Sequence, residues 1–391
     1  MPKFNNASNR ITKREFMKIC CLGLCGYAFG GDRLIPFLGK NGASAQPSSG
    51  LEGPGKWSKE ALFCVSTDEG VRCLKCPHGC VLGPDDVGIC RNRVNYRGKV
   101  YTIAYGNPCA VHIDPIEKKP LFHFLPSTRA FSIAAAGCNL RCLNCQNWEI
   151  SQKSPRETIN ADLMPYRVVE ECLAASCESI AFTYSEPTTF YEYAYDTAAL
   201  AREHKIRTVW KSSGYINEEP LRKLCKVIDA ANIDLKSFDD DVYQKLNSAR
   251  LEPVLNTLKV FKEEGVWLEI TNLVIPTWTD DVDMIKRMCE WLCTNGLQDC
   301  PLHFSRFIPL YKLNQLPTTP VSVLEKALTI AQKAGIHYVY IGNVPGNQAE
   351  NTYCHNCAKL IIKRRGFRII EIHISEDRCA YCNQKVPGVW G

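Results

Sequence analysis

Eleven of the 22 cysteines in this 391-residue chain fall into three tight clusters, and thiols so spaced act together. They are Cys73, Cys76, Cys80 and Cys90; Cys138, Cys142 and Cys145; and Cys354, Cys357, Cys379 and Cys382. Thiolates two or three residues apart converge on one metal from a single turn, whereas a disulfide across so short a loop is strained. A disulfide framework would also be scattered through a small secreted domain, and this chain is neither small nor evenly spaced. Metal ligation is the chemistry to expect. Four thiolates close a site, as in structural zinc or a four-cysteine iron-sulfur cluster. Three leave a position unfilled, and an iron-sulfur cluster so held keeps one iron free to bind a substrate, which is a catalytic arrangement.

The flanking clusters differ. Cys73, Cys76, Cys80 and Cys90, with His78 among them, admit either zinc or an auxiliary iron-sulfur cluster. Cys354-His355-Asn356-Cys357 and Cys379-Ala380-Tyr381-Cys382 are two knuckles 21 residues apart enclosing a hairpin over 360–374, a zinc-ribbon pattern. Lys363, Arg364 and Arg365 read as a solvated hairpin face. Scattered cysteines such as Cys172, Cys225, Cys289 and Cys293 fall on apolar faces of helical segments, where a thiol serves as a small hydrophobe.

These groups need a scaffold. With 45% hydrophobic and 23% charged residues the chain is globular, not disordered, collagen-like or a polytopic membrane protein. No apolar run reaches the length of a transmembrane span. A net charge of +6, from 47 basic and 41 acidic residues spread along the chain, gives no reason to expect nucleic acid as partner. From about residue 130 to 341, apolar runs alternate with segments of helical period, which marks β/α units and a parallel sheet. The strands expected are 131–134, 180–183, 208–210, 233–235, 268–274, 302–307 and 338–341. Between them, Leu221, Leu224, Cys225 and Ile228, and likewise Leu324, Ala327, Leu328 and Ala331, repeat at i, i+3, i+4 and i+7. Six or seven units fall short of a closed eight-fold barrel, so the expected fold is α/β, a partial barrel or open sheet with its site at the C-terminal strand ends. Cys138, Cys142 and Cys145 follow the first strand directly.

Before the first cluster, Thr12-Lys13-Arg14-Glu15-Phe16-Met17-Lys18 precedes an apolar stretch from Ile19 to Phe29, then a Gly, Ser and Pro-rich segment containing Ala43-Ser44-Ala45. That order matches an export signal. It is similar to a twin-arginine leader with Lys13 in place of the first arginine; the alternative is an amphipathic N-terminal helix that stays in the cytoplasm. The organisation expected is leader and linker over 1–54, a Cys-rich region over 55–127, the β/α domain over 128–348 and the ribbon over 349–391.

The run from Gly137 to Trp148 resembles the signature of the radical S-adenosylmethionine (SAM) superfamily, three cysteines separated by three and then two residues after the first strand of a partial (β/α)6 barrel. The resemblance implies that Cys138, Cys142 and Cys145 bind a [4Fe-4S] cluster whose open iron chelates SAM, and that the reduced cluster cleaves SAM to a 5′-deoxyadenosyl radical. Asn144 stands where the family usually has an aromatic residue against the adenine. Thr183-Tyr184-Ser185-Glu186-Pro187 is similar to the segment that meets the SAM amino group in glycyl-radical-activating enzymes, which makes Glu186 the acceptor. It also reads as a helix N-terminal turn with Pro187 first. Lys211-Ser212-Ser213-Gly214-Tyr215 offers hydroxyls, Ser213 among them, and Asp234-Leu235-Lys236 matches the motif in which Asp234 and Lys236 line the SAM site. His303 reads equally as core residue or ligand.

Asp114-Pro115-Ile116-Glu117-Lys118-Lys119-Pro120-Leu121, Cys145-Gln146-Asn147-Trp148, the stretch from Leu268 to Pro276 and Val386-Pro387-Gly388-Val389-Trp390 look like the AmmeMemoRadiSam radical SAM enzymes, a group similar to pyruvate formate-lyase activating enzymes. This implies a low-potential electron donor, a protein or small-molecule substrate and association with Memo and AMMECR-type proteins. The supply of SAM and of such electrons favours the cytoplasmic side, while the leader leaves export to the periplasm or cell envelope open. The rival from another class is a non-enzymatic iron-sulfur electron-transfer or metal-handling protein. It requires a fourth ligand for the central cluster, such as Cys109 or Cys172.

Overall fold

A computed structural model describes residues 54–391, and the leader expected before them lies outside the described residues. Among the described residues no helix is long and apolar enough to cross a membrane.

The seven apolar runs become parallel strands: β2 (Arg129–Ala134), β3 (Ser179–Phe182), β4 (Arg207–Ser212), β5 (Ala230–Asp234), β6 (Trp267–Val274), β7 (Leu302–Arg306) and β8 (Val339–Gly342). An eighth, β1 (Ala110–Pro115), pairs antiparallel with β2 at the sheet edge; its polar His112 and Asp114 and its terminal proline hide it from a search for apolar runs. Each strand bonds to its sequence neighbours and β1 does not meet β8, so the sheet is a partial barrel, open along one side. Helices Pro165–Ala174, Tyr191–Glu203, Glu218–Cys225, Leu251–Glu263, Val282–Thr294 and Val321–Ala334 occupy the six crossovers. Their apolar stripes, including Leu221, Leu224 and Cys225 and also Leu324, Ala327 and Ala331, are buried with Phe131, Ile180, Phe182, Trp210 and Ile233 of the sheet. Burying each such large side chain is worth roughly 1.5–3 kcal/mol. Cys172 and Cys289 lie in this core as small hydrophobes.

Alternation turns Ala130, Ala181, Val209 and Ala230 to the other face, where they pack on Ile116, Leu121 and Phe124. Alanine predominates because the segment after β1 folds back into the barrel and needs the room. That plug fills the N-terminal half of the interior and leaves chemistry to the C-terminal strand ends.

The ribbon has a three-stranded sheet, Thr352–Tyr353, Leu360–Arg365 and Arg368–Ile372, and a small hairpin carrying Cys379. It packs on the plug and β8 through Ile361, Val386, Phe122, Tyr338 and Tyr340. The tail returns to the plug, where Leu125 N donates to Val389 O at 2.7 Å and Val389 N to His123 O at 2.7 Å. The solvated face expected of Lys363, Arg364 and Arg365 needs correction. Alternation exposes Lys363 and Arg365 but buries Arg364, which donates to Thr352 Oγ1 (2.6 Å) and Phe122 O (2.9 Å) and covers the Phe122 ring at 4.3 Å.

The N-terminal region is built from two small antiparallel sheets whose own core is little more than Ala61, Val71, Leu82 and Val100. So small a core does not hold a fold by itself. It is fastened to the barrel by a buried ion pair, in which Arg93 Nη2 donates to both oxygens of Glu192 at 2.7 and 2.8 Å.

Candidate functional site

The loop after β2 is shaped by contacts from three sides. Gly137 has φ of +101°, and a Cβ there would stand 2.4 Å from Asn92 Oδ1 and 2.6 Å from the Cys90 carbonyl, so only glycine lets the N-terminal region pack this close. Arg141 N donates to Asn247 O (2.9 Å) and Leu143 N to Leu246 O (2.9 Å), both in a π-helical turn that follows β5. Lys312 N, in the loop after β7, donates to Leu143 O at 3.0 Å. The thiols it presents are half-buried and meet donors: Leu140 N reaches Cys138 Sγ at 3.3 Å and Asn247 Nδ2 reaches Cys142 Sγ at 3.1 Å. Burial first, then the Glu186 and Cys142 charges, push the Cys138 thiol well up, and burial pushes Cys145 up to about 11. A metal that takes these thiolates must displace protons.

Glu186, 1% exposed, ends the loop after β3. Its Oε1 accepts from Ser212 Oγ (2.7 Å) and Thr188 N (3.0 Å), and Oε2 from Ser213 N (2.8 Å). It therefore caps the turn begun by Pro187, as the sequence allowed, while facing the end of β4. A carboxylate has about four acceptor positions, so three donors leave one for a ligand ammonium. Ser213 Oγ is buried without a partner beside it.

Across the site Asp234 bonds Lys211 on one oxygen and Lys236 on the other, the latter at 3.1 Å. Burial alone would raise the Asp234 carboxyl, but Lys211 and then Lys236 outweigh it and hold it down at about 2. Asp234 and Lys236 were expected; Lys211, which also donates to Asn232 Oδ1 at 2.7 Å, was not. A lone lysine near a strand end carries no sign of its partners on the next strand. Also missed was Asp114, in β1, which receives Lys119 (2.5 Å), Lys118 (2.9 Å) and the Tyr184 hydroxyl. Burial depresses Lys119 to about 8 against the pull of Asp114. Tyr184 holds a left-handed backbone at φ +62°, a strained state for an aromatic residue, and its carbonyl accepts from Asn147 Nδ2 at 2.6 Å, so it couples the plug to the cysteine loop.

Other sequence candidates fall elsewhere. His303 is a core residue: it bonds Glu269 at 2.7 Å, and Glu269 also accepts from the amides of Phe122 and His123. Cys172 is directed at the carbonyls of Cys177 and Ser179 and Cys109 at that of Ala134, so neither thiol is turned to the loop as a fourth ligand. Cys354, Cys357, Cys379 and Cys382 converge with all four sulfurs within 4.8 Å of one another. Cys73, Cys76, Cys80 and Cys90 line a cavity against the Cys138 loop.

The sequence model of the Radical SAM superfamily matches residues 132–292, the span from β2 into the helix before β7. An uncharacterized protein of Methanocaldococcus jannaschii, MJ0808, is 45% identical over 331 residues, 84% of this chain and 98% of that protein. Pyruvate formate-lyase 1-activating enzyme of Escherichia coli is 25% identical over 162 residues, 40% of this chain and 65% of the enzyme. Among solved structures, a domain of pyruvate-formate lyase-activating enzyme from Bacteroides vulgatus aligns with a TM-score of 0.37 at 20% identity, covering 42% of this chain and 99% of the domain. Streptococcus suis SuiB bound to precursor peptide SuiA aligns at 0.45 and 13% identity, covering 59% of this chain and 52% of SuiB. The chain belongs to the radical SAM superfamily, and membership implies a [4Fe-4S] cluster and SAM.

Proposed function

We propose that this chain is a radical SAM enzyme that acts on a polypeptide, in the manner of an activating enzyme, with Cys138, Cys142 and Cys145 as ligands of the [4Fe-4S] cluster. The observation that carries the reading is the open, three-thiol loop at the end of β2, with backbone and amide donors on its sulfurs and the Glu186 and Asp234 carboxylates on the neighbouring strand ends. Ser213 Oγ, buried and unpartnered, fits a bound ligand at the end of β4. Cys138, Cys142 and Cys145 would hold the cluster, which with SAM bound would supply one-electron reductive cleavage of the sulfonium and, through it, hydrogen abstraction from a C–H bond.

The chain's own groups orient this. Glu186 keeps one acceptor position for the SAM ammonium, its other positions being fixed by Ser212, Ser213 and Thr188. Lys211 and Lys236 hold Asp234 ionised, so the group offers hydrogen-bond acceptance without a proton to lose. The solid plug below excludes water from the interior.

A polypeptide substrate is supported by the rim. Trp148, three residues past Cys145, stacks on Tyr311 at 5.3 Å, and Trp148, Ile308 and Leu310 are exposed in the adjoining loops. An apolar rim of this kind suits a macromolecular surface. The test is anaerobic incubation of reconstituted protein with a strong reductant and SAM, with detection of 5′-deoxyadenosine, beside the Cys138, Cys142 and Cys145 triple alanine variant. Product that disappears in the variant is expected; no product from protein with an intact cluster would refute SAM cleavage. A deuterated cell extract split by size then tests the substrate class. Deuterium entering 5′-deoxyadenosine from the macromolecular fraction is expected, and label from the small-molecule fraction alone would refute the polypeptide.

A further inference from the structure

The N-terminal cysteines are the largest concentration of chemistry that the proposed function leaves unused. Cys73, Cys76, Cys80 and Cys90 line one cavity, part of it open to solvent. Their spacing is unlike that of the ribbon thiols. Four thiolates at about 2.3 Å from one zinc stand about 3.8 Å apart by tetrahedral geometry. The ribbon meets this, with Cys354 and Cys382 at 3.7 Å and Cys357 and Cys379 at 3.8 Å. Among the described residues, it is the ribbon set whose sulfurs close within 4.8 Å; the N-terminal set and the triad both stay wider. A four-iron core holds its cysteines apart by the width of a metal-sulfide cube, whereas a single ion draws them together.

The walls of the cavity carry charge. Lys75 and Arg93 line it at 3% and 1% exposure, and Lys75 Nζ, Arg93 Nε and Arg93 Nη1 have no hydrogen-bond partner. Glu192 is the carboxylate set against them, bonded to Arg93 and 3.7 Å from Lys75 Nζ. Two buried cations facing one carboxylate leave positive charge that requires an anion. Metal-bound thiolates supply it, and the wide spacing selects a polynuclear centre over zinc.

We propose that Cys73, Cys76, Cys80 and Cys90 hold an auxiliary [4Fe-4S] cluster, its negative charge met by Lys75 and Arg93. The site shares a wall with the triad. Asn139, between Cys138 and Cys142, lines the same cavity with its Oδ1 unpartnered, and its carbonyl accepts from His78 Nε2 at 2.7 Å. A one-electron carrier thereby sits against the loop of the catalytic cysteines.

The test does not depend on SAM chemistry. Iron, sulfide and zinc are counted on the full chain, purified and reconstituted anaerobically, with Cys138, Cys142 and Cys145 changed to alanine. About four iron and four sulfide should remain beside about one zinc, with a reduced-cluster signal in electron paramagnetic resonance. Background iron with about two zinc per chain would overturn the proposal, and the wild type's own iron would still report on the triad. In the same background, Cys80→Ser with Cys90→Ser should remove the iron and spare the ribbon zinc. Cys64→Ser should keep the iron, because Cys64 pairs across the strands with Cys73 but does not line the cavity. Iron surviving the Cys80 and Cys90 changes would also overturn the assignment. Should those variants fail to accumulate, the triad-free parent decides, since it retains every N-terminal ligand.

Discussion

Replacing Glu192 by glutamine should loosen the N-terminal region on the barrel and destabilise the chain. The carboxylate accepts from Arg93 at 2.7 and 2.8 Å and from Leu62 N at 3.0 Å, and faces Lys75 at 3.7 Å; its side chain is fully buried and those of Arg93 and Lys75 are at most 3% exposed. Glutamine keeps the shape but removes the charge and turns one acceptor into a donor, pointed at groups that are themselves donors. Breaking one side of a buried pair costs about 3–5 kcal/mol, chiefly because the other charge stays buried. Total stability is about 5–15 kcal/mol, so this is a large share of it. At roughly 2 °C per kcal/mol for a chain of this size, the Tm should fall by about 6–10 °C. The assay is anaerobic thermal unfolding of wild type, Glu192→Gln, Arg93→Met and the double variant Arg93→Met with Glu192→Gln. The double variant should recover part of the loss, giving a coupling of about 2 kcal/mol or more, because it removes the orphaned guanidinium. Full recovery is not expected while Lys75 remains buried. A Glu192→Gln protein within about 1 kcal/mol of wild type would refute the reasoning, since only a solvated pair is worth so little.

Gly137→Ala meets two oxygens closer than 3 Å and a positive φ, so it should strip iron from the triad while leaving the ribbon zinc in place; unchanged iron and 5′-deoxyadenosine yield would count against the shared wall. Because Asp234 is held at about 2 instead of its usual 3.8, its contribution is present above 3.8 and lost as pH falls from there towards 2. Denaturation midpoints below about pH 5 should drop more steeply for wild type than for Asp234→Asn, by roughly 2 kcal/mol in total, and parallel curves would contradict it. Removing the ribbon metal, by chelation or Cys379→Ser, should release about one zinc and open the hairpin to trypsin at Arg364, which is buried in the intact protein; continued protection there would show that the ribbon stands without metal.

Parallel strands buried on both faces are written as apolar runs, and the seven from β2 to β8 were legible for that reason. The stripes at Leu221 and Leu324 placed their helices equally well, and the triad announced itself through spacing within one loop. What sequence hid depends on partners far along the chain. Arg93 and Glu192 are 99 residues apart, and Lys211 meets Asp234 only because β4 and β5 are neighbours. Arg364 looked solvated among three basic residues, yet a strand turns its middle residue the other way and the plug supplies Phe122 O to receive it. β1 was missed because Val111 and Ile113 alternate with His112 and Asp114 over only four residues, a pattern that does not stand out beside the continuous apolar runs of β2 to β8.

The two four-cysteine sets show where spacing ends and geometry begins. Both contain Cys-x-x-Cys pairs, and both satisfy the ligand count for zinc or for an iron-sulfur cluster. Only the folded arrangement separates them, one drawn in to single-ion distance and the other held open around a cavity walled by Lys75 and Arg93. The cause lies in what each packs against. The ribbon leans its apolar side on Tyr338, Tyr340 and the plug, and its buried Arg364 is engaged by Thr352 and the Phe122 carbonyl. The N-terminal region has almost no core of its own and leans on the barrel through the Arg93–Glu192 pair and through Leu62, Phe63 and Ala104 packed into the barrel core, and its Cys90 and Asn92 lie directly against Gly137. The position of the loop carrying Cys138, Cys142 and Cys145 is therefore set from the N-terminal side as well as from β2, and a change that loosens the housing of one thiol set should be felt at the other.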